Sequence, residues 1–390
     1  MKKFIALTLV LAMAVTLLAA CGGESGSSSG GTVAGDTIKI GGLAPLTGEV
    51  SVYGVAASNG AKMAIDEVNA KGGILGGKKI EFLLEDEEGD ATKAVNAYNK
   101  LVGEGIVALI GDVTSKPTMS VAQKAAKDNL PVVTPTATAA EVTSYGSNTF
   151  RACFLDPYQG EILASYANEK LSAKTAAVLY DSSDDYSIGI AESFKKHAEA
   201  YAIKVVAYEA FGSGDKDFKS QLTKIGAENP DVLCIPSYYN TIALITSQAK
   251  ELGLTTTFLG GDGWDGVLGA LADGKKTTAD GAIFANHYYS ADTDEVVSNF
   301  FKNYKEIYGT EPNSFAALGY DAAMVLINAI EKAGTTDKDA IIKALTETDY
   351  NGVTGNIKYD GSGDPVKSVT IIKVENGEYA LAEKGYTVKK

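Results

Sequence analysis

From residue 38 onward, short apolar runs alternate with amphipathic stretches. Residues 38–43, 80–84, 106–110 and 131–133 read as strands, and 54–70, 91–102 and 117–127 between them have helical spacing. In the first helix Ala57, Ala61, Ala64, Ile65 and Val68 share one side, and Lys71-Gly72-Gly73 stops the run. The strands are apolar throughout instead of alternating, which is the pattern of a parallel sheet covered on both faces. The rhythm then restarts, with helices at 159–171, 188–200, 218–226 and 241–252 and strands at 176–180, 204–207, 232–235 and 257–259. Two successive series of this kind predict an α/β fold of two doubly wound parallel-sheet lobes. No Gly/Ser/Pro linker separates them. The chain crosses through residues 151–157, an ordered apolar stretch, which predicts a hinge and not a flexible joint. A strand at 283–286, helices at 294–308, 314–332 and 338–345, and strands at 356–359 and 369–374 follow, the last opening a hairpin around Asn376-Gly377. Pattern alone does not decide where these late elements dock.

The first 36 residues do not share this pattern. Met1-Lys2-Lys3 is a basic start, residues 4–18 are apolar, and Leu18-Ala19-Ala20-Cys21 closes the run, which gives the parts of a secretory signal over residues 1–20. Leu-Ala-Ala-Cys resembles the lipobox of bacterial lipoproteins. In that group the cysteine, here Cys21, is lipidated and the chain is held to the outer surface of a membrane. The alternatives are an ordinary signal with a chance cysteine, or an uncleaved helix. The apolar run falls short of the roughly 20 residues a span needs. Residues 21–36, rich in Gly and Ser, read as a flexible tether.

Composition narrows the partners. The formal charge of −14 becomes −16 when two lysines leave with the signal, and Arg151 is the only arginine. A nucleic-acid or phosphate binder would show an arginine-rich basic patch, so no nucleic-acid partner is expected. With Cys21 set aside, Cys153 and Cys234 remain. They could form one disulfide in an oxidising compartment, but each sits in an apolar strand-like context, and buried free thiols are the preferred reading.

In open parallel sheets, ligands bind beyond the carboxyl ends of the strands. After residues 106–110 comes Gly111-Asp112-Val113-Thr114-Ser115-Lys116-Pro117, where Thr114 or Ser115 suits a helix cap and Pro117 a first turn. After 131–133, Thr138 to Glu141 matches a capping box. Two helix starts in one lobe suit an anion, with helix capping alone as the alternative. The second lobe offers Asp181-Ser182-Ser183-Asp184-Asp185-Tyr186, Ser237-Tyr238-Tyr239-Asn240 and Gly260-Gly261-Asp262-Gly263-Trp264-Asp265 at its strand ends. Carboxylates and aromatic rings facing an anion site describe a receptor for an α-amino acid zwitterion with an apolar side chain.

Enzyme readings find little support. There are two histidines. His197 lies among charged residues, and His287, at a strand end near a lobe crossing, reads as structural. The folded part has no G-x-S-x-G elbow, no phosphate loop and no H-E-x-x-H. Residues 360–364 resemble a calcium loop without its distal Glu and read as a turn. No cofactor or metal is expected.

Beyond these features, residues 37–390 resemble the branched-chain amino-acid-binding proteins, extracytoplasmic receptors of ABC importers with the type I periplasmic-binding-protein fold. The resemblance rests on residues 48–54, Asp66-Glu67-Val68-Asn69-Ala70-Lys71-Gly72-Gly73-Ile74, Pro135-Thr136-Ala137-Thr138 and Phe258-Leu259-Gly260-Gly261-Asp262-Gly263. It implies lobes joined by a multi-strand hinge, the first from 37–154 plus about 287–361 and the second from 155–286 plus about 362–390. It places Ser115, Thr136, Ala137 and Thr138 at the ligand carboxylate, the threonines reaching the ammonium as well. Asp262 accepts from the ammonium, and Tyr186 and Tyr238 close over the ligand. Tyr53 and Phe315 surround the side chain, and Trp264 helps to line the pocket. The implied partners are a small amino acid, ABC permease subunits and, through Cys21, the membrane. A monomer is expected. The family's usual acid is Glu where this chain has Asp262, and Thr114 stands where some members have a disulfide cysteine. Other amino acids or amides therefore remain alternative ligands, and a sensor without a transport role an alternative function.

Overall fold

A computed structural model describes residues 37–359 and 361–388. The signal segment, the tether and Cys21 lie outside the described residues. In chain order the elements are β1 (Ile38–Ala44), α1 (Ser51–Ala70), β2 (Ile80–Asp86), α2 (Ala91–Gly103), β3 (Ala108–Ile110), α3 (Ser115–Asp128), β4 (Val132–Thr134) and β5 (Thr149–Arg151). There follow α4 (Asp156–Glu169), β6 (Thr175–Asp181), α5 (Asp185–Ala200), β7 (Lys204–Phe211), α6 (Lys219–Glu228), β8 (Val232–Cys234), α7 (Tyr239–Glu251), β9 (Thr257–Gly260) and α8 (Val267–Ala270). The remainder is β10 (Ile283–Asn286), α9 (Glu295–Tyr308), α10 (Ser314–Ala333), α11 (Lys338–Thr346), β11 (Asp349–Gly352), β12 (Gly355–Lys358), β13 (Val369–Glu375) and β14 (Glu378–Tyr386).

The first sheet has the order β2-β1-β3-β4-β5 and is parallel throughout. The second runs β14-β13-β10-β9-β8-β6-β7, parallel from β10 to β7 and antiparallel where β13 and β14 join it. The β13–β14 hairpin turns at Asn376 and Gly377, both with positive φ (55° and 72°), as a tight two-residue turn requires. Residues 131–133 are thus not the last strand before the crossing, because β5 adds a fifth. Every residue of β3, β4 and β5 is buried, which is why these runs lack alternation.

Side-chain caps fix several helix starts. Asp90 accepts from the N–H groups of Thr92 and Lys93 at α2, and Asn313 from Ala316 at α10. Helix α10 lies against α1 at close quarters. A Cβ added to Gly60 would stand 1.9 Å from the Ala316 carbonyl oxygen, and one added to Gly319 would stand 2.0 Å from that of Ala57. Gly319→Val must therefore push two backbones apart. It is expected to lower stability by at least about 1–3 kcal/mol, read as a shift of the urea midpoint. Asp321 on α10 accepts from the N–H groups of Val353 and Thr354 (both 2.8 Å) and holds the β11–β12 turn.

Among the described residues, three passages join the two sheets and their helices: residues 152–155 between β5 and α4, 287–294 between β10 and α9, and 359 with 361–368 between β12 and β13. Cys153 and Cys234 are free and buried. Among the described residues no helix is long and apolar enough to cross a membrane.

Candidate functional site

On the first-sheet side, the loop after β3 leads into α3, with Thr114 at the cap position and Ser115 as the first helical residue. The Ser115 hydroxyl accepts from the Ala139 N–H at 3.2 Å, so its own proton remains available to a second partner. Thr136 donates to the Val113 carbonyl at 2.6 Å and ties the loop after β4 to the loop after β3. The predicted capping box at Thr138–Glu141 does not form. The turn there is a 3₁₀ segment of four residues starting at Ala140, and Ala139, without a side-chain bond, holds the cap position. The reason is Arg151. Its Nη1 donates to the carbonyls of Ala137 (3.0 Å) and Ala139 (2.9 Å), and its Nε lies 2.6 Å from Asp364 Oδ1. With the Ala137 carbonyl turned to Arg151, the Thr138 N–H on the same planar peptide points the opposite way. The only arginine of the chain is thus buried as a loop organiser.

On the second-sheet side, Asp262 opens a short 3₁₀ turn after β9 and is 2% exposed. Gln159 on α4 grips it twice: its Oε1 accepts from the Asp262 N–H at 2.9 Å, and its Nε2 donates to Asp262 Oδ1 at 3.2 Å. The same Nε2 donates to Asp156 Oδ1 at 3.1 Å, and the Asp156 N–H donates to the Thr138 carbonyl at 2.9 Å. A continuous buried chain therefore joins the Thr138 loop to Asp262. Burial pushes the Asp156 carboxyl well above its ordinary range, and the Thr138 hydroxyl bond only partly opposes this.

Aromatic rings lie between the two sides. Tyr186 and Tyr238 stack with centroids 5.0 Å apart, and the Tyr186 hydroxyl accepts from the Gly263 N–H at 2.9 Å. Tyr53 of α1 stacks on Phe315 of α10 at 3.9 Å and meets Tyr238 edge-on at 5.8 Å. Its hydroxyl donates to the Gly263 carbonyl and accepts from the Tyr239 N–H, crossing from one half to the other. Burial, foremost, holds the phenols of Tyr53, Tyr186 and Tyr238 well above their ordinary range, so all three stay neutral. Further links between the halves are Tyr239 to the Glu49 carbonyl (2.7 Å), Lys216 to Glu49 (2.9 Å) and Lys116 to the Ser183 carbonyl (3.3 Å). Trp264 is fully buried, in the same cluster as Tyr53 and Phe315. Its indole donates to the Ile235 carbonyl at 2.9 Å and lies between Phe258 and Phe284.

Under the Ser115 loop, Glu87 and Asp112 face each other, both fully buried at the ends of β2 and β3. Burial raises Glu87 from 4.5 to about 9, with Asp112 adding to it, and burial raises Asp112 from 3.8 to about 7. The folded chain thus holds protons that the unfolded chain has released. Stability from this pair is full below about pH 4 and is lost as pH rises toward about 9. The urea midpoint is expected to fall from pH 5 to pH 9, and Glu87→Gln should flatten that decline.

Residues 37–378 match the periplasmic binding protein family. The chain belongs to that family. A Leu/Ile/Val-binding protein, BraC3, of Rhizobium johnstonii is 35% identical over 354 residues, covering 89% of this chain and 94% of its own. The leucine-, isoleucine-, valine-, threonine- and alanine-binding protein of Pseudomonas aeruginosa is 32% identical, over 85% of this chain and 88% of its own. Among solved structures, the leucine-binding protein LivK of Thermotoga maritima superposes with a TM-score of 0.83 at 36% identity, covering 89% of this chain and 98% of that one. LivJ of Streptococcus pneumoniae, solved with isoleucine, gives 0.82 at 34% identity, over 89% and 99%. The fold is that of these type I binding proteins, and the family is one of solute receptors and not of enzymes.

Of the residues expected from the sequence, Tyr53 contacts Phe315 and Tyr238, Tyr238 stacks on Tyr186, and Tyr186 bonds the turn that holds Asp262, while Ser115 bonds the loop that follows Thr138. Asp156 and Gln159 were not picked out from the sequence, Arg151 was noted only as the single arginine, and His287 was read as structural. The lone arginine in a buried strand was the one available signal.

Proposed function

We propose that this chain is an extracytoplasmic receptor that captures an α-amino acid, most simply leucine, isoleucine or valine, by closing two hinged lobes, and hands it to an ABC permease. The lobes comprise 37–154 plus about 287–361, and 155–286 plus about 362–390. The observation that carries the reading is the buried Asp262 carboxylate, joined through Gln159 and Asp156 to a loop whose Thr138 N–H is aimed by Arg151. This pairs an acceptor for an ammonium with donors for a carboxylate. Ser115, Thr136, Ala137 and Thr138 take the carboxylate, Asp262 the ammonium, Tyr186 and Tyr238 the open face, and Tyr53 with Phe315 the apolar side chain. Fully burying a leucine-sized side chain adds about 1.5–3 kcal/mol, so ring packing and polar anchoring both set the choice of ligand. A relative that also takes threonine and alanine favours a pocket tolerant of smaller side chains. Lipid on Cys21 would hold the receptor at the membrane as a monomer.

The test is a thermal-shift screen of the twenty amino acids and short amides, followed by calorimetry. Leucine, isoleucine and valine are expected to give the largest upward shifts. A protein stabilised by none of them, or only by amides, overturns the ligand assignment. Labelled-leucine uptake unchanged in a deletion strain would argue for sensing without transport.

A further inference from the structure

Asp262 is held by more than Gln159. The His287 Nε2 lies 3.0 Å from Asp262 Oδ2, and the imidazole is stacked on Phe154 with centroids 3.7 Å apart and planes 16° from parallel. His287 and Phe154 belong to two different passages between the sheets. The His287 N–H donates to the Asn286 side chain at 2.8 Å, and its Nδ1 has no hydrogen-bond partner. The ring is therefore held on one face by Phe154, with one nitrogen committed to the carboxylate and the backbone at its root tied to Asn286.

We propose that His287 is a positioning residue for the ammonium of the ligand, fixing the second oxygen of Asp262 and tying that carboxylate to two of the three passages between the lobes. This rests on the reading that Asp262 accepts from the ammonium. The chemistry explains why a histidine serves. A lysine or arginine at this place would neutralise Asp262 and compete with the ligand. A neutral imidazole donates one hydrogen bond from Nε2 and leaves the carboxylate charge for the ammonium. Burial, foremost, keeps the ring below its ordinary pKa, while Asp262 pulls the other way. The charged groups acting on it are Asp262 from the turn after β9 and Lys367 from the passage before β13, which opposes protonation. Asp262 aspartate is one carbon shorter than glutamate, so its reach depends on being pinned, and Gln159 on one oxygen with His287 on the other supplies that. Protonating His287 would set a fixed cation against Asp262, so acid should weaken capture of any ammonium-bearing ligand.

The experiment compares leucine with 4-methylpentanoate, which has the same carboxylate and side chain but no ammonium. Binding to the whole chain is measured by calorimetry for wild type, Asp262→Asn, His287→Phe and His287→Gln, with leucine repeated from pH 5 to pH 8. His287→Phe is expected to weaken leucine by about tenfold or more, the worth of a hydrogen bond to a charged group, and to leave 4-methylpentanoate within about twofold. His287→Gln retains a donor and should recover most of the leucine affinity, while losing the wild-type decline toward pH 5. Equal weakening of both ligands by His287→Phe would make the residue merely structural and overturn the proposal. So would unchanged leucine binding. If His287→Phe does not fold, His287→Gln with the wild-type pH profile overturns it. Leucine affinity unchanged in Asp262→Asn would instead defeat the underlying assignment of the ammonium site.

Discussion

Replacing Asp262 with alanine is expected to weaken leucine binding by about 30-fold to several-thousand-fold, the equivalent of the about 2–5 kcal/mol lost when one partner of a buried, hydrogen-bonded charge pair is removed. The large size follows from burial. Asp262 is 2% exposed, so water cannot replace the lost partner of the ammonium. Two further groups are affected at once: the His287 imidazole loses its acceptor, and the Gln159 amide is left with Asp156 alone. The fold should survive, because the turn remains anchored by the backbone bonds of Gly263 to Tyr186 and of Asp262 to Gln159. Calorimetry reads the affinity, and the circular-dichroism melt reads the fold. An affinity within twofold of wild type would remove Asp262 from the site.

The second large effect is expected from Arg151→Met. The guanidinium is fully buried, bonded to the carbonyls of Ala137 and Ala139 and to the Thr143 hydroxyl, and paired with Asp364. Asp364 is partly exposed and can be solvated once the guanidinium is gone, so the larger loss is that of the buried carbonyls left without a donor, about 1–3 kcal/mol for each unsatisfied group. Methionine fills the volume and supplies none of the bonds. The urea midpoint should drop accordingly. Arg151→Lys should recover only part of it, because a point charge cannot serve carbonyls and a carboxylate in one plane. Leucine affinity should fall together with stability in both variants, since the same carbonyls orient the Thr138 N–H.

These two residues mark the boundary of what the sequence discloses. The places of Asp262, Tyr186 and Tyr238 just after strands were legible because the strands were readable from their apolar runs, and ligands of parallel sheets bind at such strand ends. Ser115 was legible as the start of a helix led by Thr114 and Pro117. Arg151 was not, because a charged residue in a three-residue strand looks solvent-facing until the carbonyls of a loop 12–14 residues earlier fold over it. That same tertiary contact overrode the Thr138–Glu141 capping signal, a local motif outcompeted by a buried guanidinium. The Gln159–Asp262–His287 set joins residues 103 and 25 positions apart, and no local spacing encodes it. Trp264 shows the same limit. Its neighbour Asp262 bonds Gln159 and His287, but the next turn of chain sends the indole to the Ile235 carbonyl in the core.

The three chain passages between the sheets carry a mechanical consequence. One connection would let the halves swivel and tilt freely, as on a ball joint. If the halves close as proposed, three connections would restrict twisting and favour a single opening angle, like the cover of a bound book. A receptor closing in that way would give up little configurational freedom on shutting, so more of its contact energy would reach affinity. One pair of fluorescent labels across the mouth would then record its whole motion.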